Sequence, residues 1–224
     1  MRYLFWGVLS LLSASCASMN ADICRGLAGP TGIEASRSVD RLTAKSREAT
    51  VEVASVRQKG IAYGTGTLFK YKGQVIVITA AHVVGGRERP VLVMYGHEEA
   101  FGSLVYYDER QDIAVLKLSG PLGAKPIPLK PAKSRGLKIG DEVLYSGYPN
   151  ISGLLTIKGY IAGVHPSGHL FLHSYAWTGA SGSSVFDRRG RLVGVLYALD
   201  VGTDTTGHAA IIEDVVVVVP IWKL

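Results

Sequence analysis

Gly64-Thr65-Gly66-Thr67-Leu68-Phe69-Lys70-Tyr71-Lys72-Gly73-Gln74-Val75-Ile76-Val77-Ile78-Thr79 decides the fold. Two runs rich in β-branched and apolar residues flank Lys72-Gly73, a pair suited to a tight turn, so the stretch predicts a β-hairpin. Similar short runs lie on either side. Thr50–Val56 alternates upstream, and 91–95, 101–107 and 113–118 follow downstream. Pro121, Pro126, Pro128 and Pro131 then crowd a segment that cannot be a central strand. A second series follows at 141–146, 153–159, 169–172, 184–186, 192–198 and 215–219. Two groups of about six strands, joined by a crossing near 119–140, predict an all-β protein of two antiparallel six-stranded β-barrels. No amphipathic helix is evident; Ala80 to Val84 has room for one turn.

Whole-chain properties agree with a globular β protein. The 224 residues are 47% hydrophobic and 19% charged, which excludes a disordered chain. The net charge of +6 comes from scattered Lys and Arg without a basic run, so no nucleic-acid partner is expected. Arg2, the apolar run 3–12 and the small residues 13–18 describe an export signal over residues 1–20. That run is too short to span a bilayer as a helix. The product is expected to be exported, periplasmic or secreted. Membrane contact is expected only through the signal or a lipid anchor at Cys16, although Ser13 stands where a lipoprotein site usually has a larger aliphatic residue. Residues 21–48 show no sustained periodicity and read as a linker or loosely attached segment, with the main domain at 49–224. Cleavage would leave Cys24 alone, so packing rather than an internal disulfide must hold the fold.

Three segments carry candidate chemistry. His82, in Thr79-Ala80-Ala81-His82, follows an apolar strand, where an imidazole can take a proton from a hydroxyl and return it. Asp112, before Ile113-Ala114-Val115-Leu116, sits at a polar-to-apolar boundary and is placed to orient an imidazole; Asp108 fits a turn-capping role better. Ser181, in Thr178-Gly179-Ala180-Ser181-Gly182, lies between glycines that let main-chain amides converge on an oxyanion, the donors being Gly179 and Ser181. The order His, Asp, Ser excludes the α/β-hydrolase and subtilisin arrangements, and Ser183 breaks the Gly-x-Ser-x-Gly elbow.

These boxes resemble those of the trypsin/chymotrypsin-like serine proteases, and Asp112-Ile113-Ala114-Val115-Leu116 is similar to the aspartate box of the bacterial HtrA-like branch. The resemblance spans about 49–219. It implies a chymotrypsin-type fold and a serine endopeptidase with His82, Asp112 and Ser181 as its catalytic triad. A polypeptide substrate and no cofactor follow from it. Few residues follow the last strand, so no PDZ domain of the HtrA kind is expected. By the family's layout, Tyr175 sets the base of the primary pocket, walled by Leu196, Tyr197, Ala198 and the segment containing His208. With no Asp at that base, an apolar or small side chain is the expected preference. Substrate main chain would pair with Tyr197 and Leu199 as an added strand.

Two departures qualify the expectation. Ala180 replaces the Asp with which digestive members bind a newly cut N-terminus, so no activation of that kind is implied. Ser183 stands where the family has glycine, and its Cβ is expected to shift the backbone. The alternative reading, a catalytically silent protein that binds peptides or acts as a scaffold, rests on Ser183. His165, His169 and His173 have helical spacing but lie in a Pro-, Gly- and strand-containing segment, so no metal site is expected.

Overall fold

The computed structural model describes residues 40–87, 89–149, 153–203 and 209–223, and of 198–203, 209–213 and 223 the main chain alone. The export signal, Cys16, Cys24 and His208 lie outside the described residues. The expected hairpin is present: β2 (Gly60–Tyr71) pairs with β3 (Gln74–Thr79) from Gly66↔Thr79 to Tyr71↔Gln74. Lys72 and Gly73 turn it with φ of 47° and 80°, the left-handed pair that matches strand twist.

Around it, β1 (Thr50–Arg57), β4 (Val91–Tyr95), β5 (Glu98–Asp108) and β6 (Ile113–Leu118) complete the order β1-β4-β5-β6-β3-β2. Antiparallel β1–β2 pairing closes this first six-stranded barrel. The two-residue β7 (Ile127–Pro128), from the proline-rich crossing, adds to β2 in parallel. The second barrel has β8 (Glu142–Gly147), β9 (Leu155–Val164), β10 (Leu170–His173), β11 (Ser184–Asp187), β12 (Leu192–Thr203) and β13 (Ala209–Pro220). Their order is β10-β13-β12-β11-β8-β9, closed by β9–β10. This is the chymotrypsin-like architecture expected from the sequence.

Strand alternation explains why the apolar runs are continuous. Leu68, Val77 and Leu116 point into the first barrel, and Val143, Tyr145 and Val218 into the second. Their neighbours Phe69, Ile78, Leu144 and Val219 form, with Ile113 and Phe186, a third core between the barrels. There the Phe69 and Phe186 rings lie 6.1 Å apart. Strands buried on both faces read as unbroken hydrophobic runs. The loops that enter and leave these interface strands carry the candidate site residues.

One element was not evident in the sequence. Arg41–Ala49 forms helix α1, capped by Asp40, whose carboxylate accepts from the amides of Leu42 at 2.9 Å and Thr43 at 3.0 Å. Only Ser46 and Ala49 of this helix are buried, so it shows no apolar periodicity. Polar bonds dock it beside Leu42, which packs against the core between the barrels: Ser46 Oγ to Ser146 Oγ at 2.9 Å and Arg47 to Thr156 Oγ1 at 3.1 Å.

Candidate active site

His82 lies on a single helical turn, α2 (Ala81–Val84), directly after β3. Asp112 grips this turn three times. Its carbonyl accepts from Ala81 N at 3.1 Å, Oδ1 from the main-chain N of His82 at 2.6 Å, and Oδ2 lies 2.6 Å from His82 Nδ1. With Nδ1 bonded to a carboxylate, the ring proton belongs there, and Nε2 carries the free lone pair. The Asp112 side chain is 9% exposed and the imidazole 47%, so a sheltered acid orients an accessible ring. Asp112 has φ of 49°, a left-handed conformation that Asp tolerates better than most residues. Asp108 instead caps the preceding turn, accepting from Gln111 N at 2.9 Å.

Ser181 occupies the loop before β11. The next residue, Gly182, has φ of 89°, and a Cβ there would overlap the Thr65 carbonyl, Thr79 Oγ1 and the Ala80 amide. Only glycine lets this loop lie so close to the hairpin of the first barrel. Thr65 makes the tie: its amide donates to Ser181 O at 2.8 Å and its hydroxyl to Gly179 O at 2.8 Å. The same Oγ1 accepts from Tyr148 N at 3.0 Å, and Thr65 is fully buried. Among the described residues, neither the Gly179 nor the Ser181 amide donates a main-chain hydrogen bond, leaving both available to an oxyanion.

Tyr197 is the shared neighbour of the His82 and Ser181 side chains. Ser181 Oγ donates a long 3.3 Å bond to the Tyr197 carbonyl. The Tyr197 ring meets the His82 ring edge-on at 6.1 Å. The Ser183 side chain, expected to disturb this loop, is fully buried with Oγ donating to Ala180 O at 2.6 Å. It occupies the space beside Gly147 that a Cβ on that glycine would need.

The other nominated residues are more dispersed. Leu196 is buried in the second-barrel core with Ala180, and its main chain meets the serine loop, accepting from Gly182 N at 2.9 Å and donating to Ser183 O at 2.8 Å. Ala198 continues β12, paired with Val217. Tyr175 is half exposed, its ring 5.8 Å from that of Trp177 and its carbonyl accepting from the Tyr145 hydroxyl. Burial pushes that Tyr145 hydroxyl's pKa upward. Tyr175 lines a cavity of about 550 Å³ with Tyr160, His173 and Asp214, and none of His82, Asp112 or Ser181 borders it. His165, His169 and His173 each meet a different ring, those of Phe171, Tyr197 and Tyr160.

Thr65 and Arg57 were not singled out from the sequence. Thr65 was legible only as part of a Gly-Thr-Gly-Thr strand, and nothing local marks its bonds to residues more than a hundred positions away. Arg57, at the end of β1, donates to the main-chain carbonyls of His82 and Val83.

The chain is similar to known proteins. The family model of the trypsin-like peptidase domain matches residues 64–195, more than half of the chain. The HtrA-like serine protease of Staphylococcus aureus strain USA300 is 26% identical over 155 residues, which cover 60% of this chain and 20% of that protein. The chain therefore spans about a fifth of the length of such relatives. Among solved structures, the active form of the Rv3671c protease of M. tuberculosis aligns with a TM-score of 0.63 at 23% identity, covering 81% of this chain and 80% of that one. The serine endoprotease of Yersinia pestis aligns at 0.60 and 24% identity, covering 82% and 64%. At these identities the structural likeness establishes the fold.

Proposed function

This chain belongs to the trypsin-like peptidase family, and from that premise we propose that it is a serine endopeptidase acting through an acyl-enzyme on Ser181. The observation that carries the reading is the double grip of Asp112 on the ring and main-chain nitrogens of His82. It leaves Nε2 as the only ring position able to act as base.

Ser181 Oγ turns from the Tyr197 carbonyl, transfers its proton to His82 Nε2 and bonds to the scissile carbonyl carbon. The resulting oxyanion is held by the amides of Gly179 and Ser181, and the imidazolium by Asp112. His82 then protonates the leaving amine as the C–N bond breaks. Water, deprotonated by His82, next adds to the ester, and Ser181 departs with that proton. The substrate is an extended polypeptide pairing with β12 near Tyr197 and Leu199, with an apolar or small side chain at the primary pocket. Export to the periplasm or exterior, with or without a lipid anchor at Cys16, completes the proposal and rests on residues 1–18; fractionation of a Cys16→Ser variant tests the anchor.

The decisive experiment treats purified protein with a fluorophosphonate probe, with Ser181→Ala alongside. Labelling that the substitution abolishes supports an activated Ser181. A folded protein that stays unlabelled favours the silent, peptide-binding alternative.

A further inference from the structure

A helix of one turn cannot satisfy its own carbonyls, because the i→i+4 partners lie beyond its end. In α2 only Ala81 O is paired this way, with Gly85 N at 2.8 Å. The carbonyls of His82 and Val83 must find partners elsewhere or stay unsatisfied beside the first-barrel core. The end of β1 supplies them. Ser55 and Arg57, two apart on one strand, share a face. Ser55 Oγ donates to Val83 O at 2.6 Å, and Arg57 Nη2 donates to both His82 O and, at 3.0 Å, Val83 O. Arg89 secures the following loop, with Nε to Gly85 O at 2.9 Å and a guanidinium nitrogen to Val56 O at 3.2 Å.

The His82 peptide is thus held at both ends by opposite charges: the Asp112 carboxylate takes its N–H and the Arg57 guanidinium its C=O. We propose that Arg57 is a positioning residue that fixes the main chain of His82, and so keeps the imidazole on Asp112 with Nε2 aimed for proton transfer. The inference deepens the serine endopeptidase reading and, for its kinetic consequence, rests on it. Both bonds leave one guanidinium nitrogen, Nη2, which carries two N–H groups and serves the adjacent carbonyls of His82 and Val83. Arg57 touches neither substrate nor the reacting atoms.

The test compares Arg57→Ala, Arg57→Met and Arg57→Lys with wild type in fluorophosphonate labelling resolved into a maximal rate and a half-saturating concentration. Arg57→Met retains the aliphatic stem, which separates lost packing from lost hydrogen bonds. We expect the maximal rate to fall about 10- to 100-fold, the scale set by a small misplacement of a catalytic group. The half-saturating concentration should stay unchanged, Arg57→Lys should fall in between, and added guanidinium ion should partly rescue Arg57→Ala. Arg87→Ala, which removes a neighbouring charge bonded to Tyr107 O rather than to α2, should label at the wild-type rate. In parallel, proton NMR follows the hydrogen-bonded Nδ1 proton of His82, which should broaden or vanish in Arg57→Ala and Arg57→Met. Wild-type rates in folded Arg57 variants, or an unaltered Nδ1 resonance, would overturn the proposal. Wild-type protein that fails to label overturns the peptidase reading instead, and the NMR comparison still decides whether Arg57 anchors His82.

Discussion

Ser183, just before β11, and Gly147, at the end of the adjacent β8, are packed as a complementary pair: the Ser183 hydroxyl fills the volume that a side chain at Gly147 would need. This serine is therefore matched by a glycine on β8, and its hydroxyl is satisfied by Ala180 O. Gly147→Ala should destabilise the protein by about 1–3 kcal/mol through overpacking. Combining it with Ser183→Gly should recover most of that loss, whereas Ser183→Gly alone should label normally. Urea unfolding of the four proteins measures the coupling.

Thr65 links the two barrels at the serine loop. Thr65→Val keeps the shape but leaves Gly179 O and Tyr148 N without their partner. A loss of about 1–3 kcal/mol is expected for the orphaned buried groups. Labelling of Ser181 should slow as well, because the Gly179 amide belongs to the same loop. Thermal unfolding and probe kinetics on one sample check both.

Asp112→Asn preserves size but can no longer accept at both oxygens, so the amide favours the wrong imidazole tautomer. Acylation should fall about 10,000-fold with little change in fold. Circular dichroism alongside labelling separates the two effects.

Asp40 caps α1, and its hydrogen bonds from the Thr43 hydroxyl and amide lower its pKa from 3.8 to about 2. A depressed carboxyl stabilises the folded state above its unfolded value and ceases to as pH falls through the folded one. The cap's contribution should therefore disappear between about pH 4 and 2. Asp40→Ala should cost about 1 kcal/mol at neutral pH, and Asp40→Asn should retain a cap without this acid dependence. Stability measured against pH for the three proteins is the check.

Glu52 on β1 is pushed above its ordinary 4.5 by burial. The folded state prefers its neutral form, so the charge begins to destabilise once pH rises above 4.5 and does so fully above the folded value. Glu52→Gln should raise the melting temperature at pH 7, by about 2–4 °C for each kcal/mol relieved, and the gain should vanish in acid below pH 4.5.

Local signals carried a large part of this protein. The turn at Lys72-Gly73, the continuous apolar strands and the two strand groups on either side of the prolines determine a double barrel. They do so because period-two burial and left-handed turn residues act within a few positions of the chain. The segments bearing His82, Asp112 and Ser181 could likewise be nominated from their order and glycines. What brings them together could not. Asp112 reaches His82 across 30 residues and Thr65 reaches Gly179 across 114, while α1 is docked by side-chain hydrogen bonds and the single apolar contact of Leu42 rather than an apolar stripe. The pairing of Ser183 with Gly147, the grip of Arg57 on α2 and the exposure of Tyr175 also belong to the tertiary structure. Hydrogen bonds and volume exclusion between elements distant in sequence leave no periodic trace, and they exist only once the two barrels close on their shared core.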